Sequence, residues 1–370
     1  MINKCEMEAG RDIYRVSAPM VAGVLLAAAV CRTAQTIAYG HIITGTSALL
    51  AFGLLLCACI SAARGNAMVR NPLLWILLFA ATGACCYMSR ITVLPAILPR
   101  NPLASASAYL AGLIADIPFA DKENNALLQA IILGDRGSLG TETAESFRKA
   151  GAAHMLALSG MHLGIIYAMI TRSMMILGNS IAARKIRSAA VIVLTGLYTL
   201  MCGAGPSLQR AWLFILLGEG GRLLDRPQPL QQVFCAALTL HLVFRPESAT
   251  QLGFQLSYLA LVGIVFVWPH MREWYPGRSL GARIWQAMSL AICCQLFTAP
   301  LSWWHFGTFP KYFLITNLVA APVMGIAMFT SVGAILARML WISAPMWLFT
   351  VLEMPLSLLR YLLDTIATLP

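Results

Sequence analysis

Charge is what this sequence has least of: Asp, Glu, Lys and Arg make up 11% of its 370 residues, where soluble domains carry about 25%. That scarcity excludes a large water-soluble domain. The ten cysteines include no Cys-x-x-Cys pair and have no histidine beside them, which argues against a zinc ribbon or a thiol-redox centre. They fall almost wholly in apolar stretches, as Cys57/Cys59, Cys85/Cys86 and Cys293/Cys294, and read as small membrane-buried packing residues. The six histidines (His41, His154, His162, His241, His270, His305) form no His-x-His-x-Asp-His cluster, and no metal or other cofactor is expected. A Gly-x-x-x-x-Gly-Lys-[Ser/Thr] loop is also missing, and with it the usual means of coupling ATP hydrolysis.

Apolar length is abundant. Hydrophobic residues make up 59% of the chain and the mean hydropathy is +0.74. Runs of roughly 17–25 apolar residues, enough for a helix to cross ~30 Å of hydrocarbon, recur at 16–38, 43–63, 72–89, 152–177, 188–203, 207–223, 230–245, 250–269, 284–304, 312–337 and 344–366. About ten cross if the short piece at 207–223 only dips into the bilayer. The fold class that follows is all-α: a polytopic integral membrane protein with transmembrane helices and amphipathic surface helices.

The net charge of +11 does not by itself point to nucleic acid, because membrane proteins use Lys and Arg to fix orientation. With the N-terminus in the cytoplasm and every span crossing, 15 of the 26 basic residues fall inside: Lys4, Arg11, Arg15, Arg64, Arg70, Arg172, Arg184, Lys185, Arg187, Arg222, Arg226, Arg272, Arg278, Arg283 and Arg338. The first residues mix Lys4 and Arg11 with Glu6, Glu8 and Asp12, which is too acidic for a signal peptide. The first segment is therefore expected to remain uncleaved.

The division that results is 1–95, N-terminal membrane helices; 96–151, extracytoplasmic amphipathic helices; and 152–370, the main transmembrane domain. In the middle part, Leu103, Leu110, Ile114 and Ile117 form one apolar face, and Leu127, Leu128, Ile131 and Ile132 a second. Both predict helices lying on the membrane surface. A third short helix, about 140–150, has Glu142 and Glu145 early, Arg148 and Lys149 late and Gly151 as its stop, matching the helix dipole at both ends.

Polar residues within apolar spans mark candidate sites. Read as one continuous helix, 152–177 places Ala153, Ala157, Gly160 and Gly164 within an arc of about 60° and turns His154, Ser159 and His162 to the other side. Those three serve either as hydrogen bonds between helices or as the lining of a water-filled path. Gln251, Gln255 and Tyr258, at i, i+4 and i+7, form a polar stripe with the same two readings. At Gly203-Ala204-Gly205-Pro206-Ser207-Leu208-Gln209-Arg210 a Gly-Pro break separates two short apolar pieces. Broken helices at membrane depth expose free N–H groups to anions. Ser207 and Arg210 sit on that first turn, and the alternative is a re-entrant turn whose arginine snorkels to headgroups.

The order Leu133-Gly134-Asp135-Arg136, Phe147-Arg148, Gly151, His154 and Leu158-Ser159-Gly160-Met161-His162 resembles the signature of the ComEC competence family. Downstream, Pro206-Ser207 with Arg210-Ala211, Arg226, Pro246, Gly253-Phe254-Gln255-Leu256-Ser257, Pro300, Phe306-Gly307, Asn317 and Pro322 are similar to that family's later helices. The resemblance covers about 125–330. It implies an inner-membrane channel that passes single-stranded DNA to the cytoplasm during natural transformation. It further implies a DNA receptor, a cytoplasmic motor, a separate nuclease and a possible homodimer as partners, with the lipid bilayer around them. With the polar stripe, the candidates for the DNA path or the family motifs are Asp135, Arg136, Arg148, His154, Ser159, His162, Ser207, Arg210, Gln251, Gln255 and Asn317. Two domains common in that family are not expected here: the stretch from Arg90 to Leu127 is too short for an OB-fold barrel, and no metallo-β-lactamase-like metal cluster is present.

Two other functions compete. A small-solute transporter would share the broken helices but not the ordered motifs. An intramembrane serine hydrolase would pair Ser159 with His154 or His162, but the span holds no carboxylate to orient the histidine and Ser159 is expected in mid-helix rather than on a strained turn. No enzymatic activity is expected.

Overall fold

The computed structural model describes residues 17–28, 72–93, 103–275, 277, 279–307, 311–340 and 345–369. Among these residues every regular element is helical. Among the described residues five helices are long and apolar enough to cross a membrane: Gly160–Leu177, Leu252–Arg272, Leu280–Phe306, Phe313–Leu340 and Met346–Ala367. The protein is thus the all-α, polytopic membrane type that its composition demands. The span expected at 43–63 and most of that at 16–38 lie outside the described residues, as do Lys4, Cys5, Arg11, Arg15, Arg64, Arg70 and Arg278.

The helices are α1 (Ser17–Ala28), α2 (Pro72–Val93), α3 (Ala104–Ala115), α4 (Lys122–Leu133), α5 (Thr141–Lys149), α6 (Ala153–Leu156), α7 (Gly160–Ser173), α8 (Ile181–Met201), α9 (Pro206–Leu223), α10 (Leu230–Phe244), α11 (Leu252–Val262), α12 (Trp268–Arg272), α13 (Leu280–Phe306), α14 (Phe313–Leu340) and α15 (Met346–Ala367). A π-helical stretch, Gly263–Val267, joins α11 to α12. Contacts group the chain into two units, residues 1–99 with 216–255 and residues 100–215 with 256–370.

In the first unit α1 and α2 cross at glycine. A Cβ at Gly23 would collide with the Ala80 carbonyl, and one at Gly83 with that of Met20. This is the small-residue crossing by which apolar helices approach without a hydrophobic drive between them. α10 and the 3₁₀ turn Pro246–Thr250 pack beside α2.

The core of the second unit is built from α3, α4, α5 and α6 against α14 and α15. Leu127, Leu128, Ile131, Met155, Met324, Met328, Leu356, Leu359 and Leu363 are all fully buried in it. Here the expected placement of α4 on the membrane surface gives way. From Asn124 to Leu133 only Gln129 escapes full burial, because Leu, Ala and Ile occupy almost every side of the helix and there is no polar face to present to water. α5 does keep a charged outer face: Arg148 and Lys149 are exposed while Phe147 is buried.

Burying α3 and α4 leaves their terminal carbonyls in need of partners. Asn125 Nδ2 donates to the Ile114 and Ile117 carbonyls at 2.8 and 3.0 Å, and Tyr198 Oη donates to Ile132 at 2.6 Å. At the other end of α4 the buried Glu353 carboxylate of α15 accepts from the Ala120 and Asp121 N–H groups at 2.9 and 3.0 Å and from Asn124 Nδ2 at 2.7 Å. Arg360, two turns further along α15, pairs with Asp121. Glu353, Ser357 and Arg360 fall at i, i+4 and i+7, so one polar face of the last span docks the start of α4.

Candidate functional site: two broken helices

The span expected at 152–177 is not one helix. α6 ends at Leu156, Ala157 is extended (φ −85°, ψ 128°), and α7 begins after Ser159, itself extended at φ −127°, ψ 172°. The continuous small-residue face therefore does not exist, and Ser159 is a helix N-cap rather than a mid-helix residue. The cap is reciprocal: Ser159 Oγ accepts from Met161 N–H at 3.3 Å while His162 Nδ1 accepts from Ser159 N–H at 3.2 Å. Serine offers a short acceptor that satisfies one of the orphan donors of the first turn, which is why the break falls here.

The same geometry brings Ser159 Oγ to 3.0 Å from His162 Nδ1. With Nδ1 accepting, a neutral His162 carries its proton on Nε2, a fully buried atom on the side of the ring facing the Met155 backbone. Among the described residues no carboxylate holds the imidazole, and the serine backbone is an ordinary extended one. The pair has the distance of a nucleophile and base without the third group or the strained turn.

The Leu-Gly-Asp-Arg motif buttresses this break. Gly134 ends α4 in the left-handed region (φ 76°), and a Cβ there would lie 2.6 Å from Leu158 Cδ1. Asp135 Oδ1 accepts from Gly137 N–H at 2.9 Å and closes the turn. Arg136 Nε then donates to the Leu156 carbonyl, at the end of α6, at 3.1 Å. One helix earlier, α5 ends in a Schellman motif about Gly151 (φ 76°), with Ala152 N–H bonded to Phe147 and Gly151 N–H to Arg148. The Ala150 carbonyl left over accepts from Thr316 Oγ1 at 2.6 Å. The next residue, Asn317, interacts with His154, which also engages the Gly151 backbone, and Asn317 Nδ2 donates to Phe313 at 2.8 Å. Asp135, Arg136, His154, Ser159, His162 and Asn317, scattered over about half the chain, thus converge on one broken helix.

The second break is the one expected at 203–206. α8 closes in a Schellman motif about Gly203 (φ 76°), Ala204 follows at φ 49°, and Pro206 opens α9, where its missing N–H is no loss. Ser207 stands in the first turn. Arg210, one turn in, is only 5% exposed and lies over the Tyr258 ring at 5.4 Å from its centroid. Its Nη1 is buried without a hydrogen-bond partner among the described residues. The guanidinium does not snorkel outward; it is held inside by an aromatic face. A Cβ at Gly160 would lie 3.5 Å from that of Ala211, so the first turn of α7 packs against α9 beside Arg210.

The other expected residues fall elsewhere. Arg148 forms a fork with Glu145 at 2.6 and 2.8 Å on the exposed face of α5, a pair of little energetic consequence. Gln251 precedes α11 and is exposed, and Gln255 Nε2 donates to the Ala249 carbonyl at 2.8 Å. The three-residue stripe therefore breaks up, because the helix starts one residue too late to include Gln251. Thr316, Tyr198 and Glu353 were not anticipated. For Glu353 the signal was available, as a carboxylate and an arginine seven residues apart in an apolar span; for the other two there was none. Among the described residues no three His, Cys, Asp or Glu side chains gather as a metal site would need.

A family model described as "Competence protein" matches residues 131–370. ComE operon protein 3 of Bacillus subtilis (strain 168) is 27% identical over 200 residues, 54% of this chain and 25% of that protein. The chain therefore aligns with about a quarter of that relative's length. No solved structure matches.

Proposed function

Because this chain belongs to the competence protein family, we propose that it forms a channel through which one strand of DNA crosses the inner membrane into the cytoplasm during transformation. Arg210 is the observation that carries this reading. A buried guanidinium with an unused donor, on the first turns of a helix that starts at a Gly-Pro break, needs an anion or water. A passing phosphodiester supplies the anion and leaves again. Contacts this sparse suit conduction, since a dense cationic lining would trap the polyanion.

Transport of this kind calls for no covalent chemistry by the chain, and the Ser159–His162 contact serves as a cap. A cytoplasmic motor pulls the strand, a receptor delivers it, a separate nuclease degrades its complement, and the N-terminus lies in the cytoplasm. The pore forms within one chain or between two copies of it. The test is uptake of labelled DNA by a deletion strain complemented with Arg210 variants. Arg210→Ala should reduce uptake strongly and Arg210→Lys, which keeps charge without the planar fork, only modestly, at normal protein levels in the membrane. Wild-type uptake by Arg210→Ala would remove the broken helix as the DNA site.

A further inference from the structure

A cleft of about 370 Å³ opens in the second unit where α12 turns into α13, lined by Trp274, Tyr275, Gly281, Ile284, Trp285 and Met288. Trp274 is 70% exposed, and its ring stacks on Trp285 with centroids 6.2 Å apart and planes 23° from parallel. The indole N–H of Trp285 donates to the Met271 carbonyl at 2.9 Å, and that of Trp268 to Gln286 at 3.3 Å. Arg272 lies over the Trp268 ring at 5.3 Å from its centroid. Between 268 and 288 the sequence places Arg272, Arg278 and Arg283 against the single acidic residue Glu273.

We propose that this cleft is a stacking platform for the bases of single-stranded DNA, with Arg272 and Arg283 meeting the phosphates. The inference rests on the reading of the chain as a DNA channel, and the count of basic residues assigns this loop to the cytoplasmic side, where the strand would emerge. Tryptophans that anchor a protein at the bilayer surface use the indole N–H toward headgroups. Here the N–H groups of Trp268 and Trp285 are committed to protein carbonyls, so these rings act as fixed plates. Trp274 is already stacked on one of them and leaves its outer face to a base, with little ordering left to do on binding. Every base has a π-face, so such a platform is indifferent to sequence, and uptake of arbitrary DNA requires that indifference.

The test uses the full chain in nanodiscs of zwitterionic lipid, with a short fluorescent oligothymidylate and an abasic strand of the same length and charge. Wild-type protein should bind the thymidylate more tightly than the abasic strand. Trp274→Ala should weaken thymidylate binding roughly 5- to 100-fold, the loss typical of one stacked base, and leave abasic binding unchanged, while Trp274→Phe retains most of the affinity. Equal affinity of the two strands for the wild type, or full thymidylate affinity in Trp274→Ala, overturns the platform. So does a Trp274→Ala variant that binds both strands as the wild type does and loses thermal stability only in nanodiscs of anionic lipid, which would make the cleft a lipid anchor. These binding results are separate from the uptake assay: a deletion strain that takes up DNA normally removes the channel reading itself.

Discussion

Arg136 Nε donates to the Leu156 carbonyl at 3.1 Å, so a side chain from the loop after α4 holds the last peptide of α6 in place before the chain breaks and restarts as α7. The role of this arginine is positional. A helix end that is not water-exposed needs a donor from somewhere, and the break at 157–159 survives because the motif loop supplies one.

Replacing that donor should therefore loosen the break. Arg136→Ala is expected to lower the stability of the purified protein by about 1 kcal/mol, the worth of a partly buried hydrogen bond. Arg136→Lys, which lacks the Nε geometry, should behave similarly. Gly134→Ala acts on the same junction from the other side, adding roughly 1–2 kcal/mol of left-handed strain to a collision with Leu158. Thermal unfolding in detergent measures all three, and a Gly134→Ala protein as stable as wild type would show that the loop is not held against Leu158 in the break.

Ser159 should behave as a cap. Ser159→Ala is expected to cost about 1 kcal/mol and to keep substantial DNA uptake. Ser159→Asn, which retains an acceptor, should be close to wild type, and Ser159→Leu, which has none and is bulky, should lose uptake. A fluorophosphonate probe should not label the wild-type protein. Stable Ser159→Ala protein devoid of uptake, together with fluorophosphonate labelling of the wild type, would establish a nucleophile instead.

The junction between α4 and α15 should respond to acid. The Arg360 guanidinium, and after it the Glu123 N–H, hold the Asp121 carboxyl below its ordinary value of 3.8. A depressed carboxylate stabilises the folded state fully above its unfolded pKa and loses that contribution as pH falls through the folded one. Stability should thus be flat with respect to this group above about pH 5 and decline below pH 3.8. Asp121 is about half exposed, so the effect is small. Asp121→Asn should remove this part of the acid response, as read from melting temperature against pH; an unchanged profile would place the acid sensitivity elsewhere.

Ser138 is exposed in the turn before α5, so its side can be read by labelling. Ser138→Cys should react with a membrane-impermeant maleimide in intact cells, while Cys5 reacts only after lysis. The opposite pattern would invert the orientation.

The choice of fold class needed nothing beyond composition. Transfer of apolar side chains into lipid is nearly additive along a helix, so hydropathy locates segments such as Phe313–Leu340 and Met346–Ala367 to within a few residues. The turn signals Gly151, Gly203 and Pro206 were legible for the same local reason, since each acts through its own backbone angles. Arg210 was singled out on that basis, as a charge beside a Gly-Pro break, although its sequence leaves open whether it reaches outward.

Tertiary structure decided everything that depends on distant partners. Read as hydropathy, 152–177 is one span; it is broken because Arg136 reaches Leu156, and the turn before it is held because Thr316, 166 residues away, bonds Ala150. The start of α4 is docked because Glu353, 232 residues from Asp121, accepts from the backbone that leads into the helix. Arg210 points inward because Tyr258 offers it a ring. Hydropathy is a sum over neighbours in the chain and carries no record of these pairings. By itself the sequence determined which segments leave water, and the contacts between segments determined where each helix breaks and which polar groups are left free to meet a substrate.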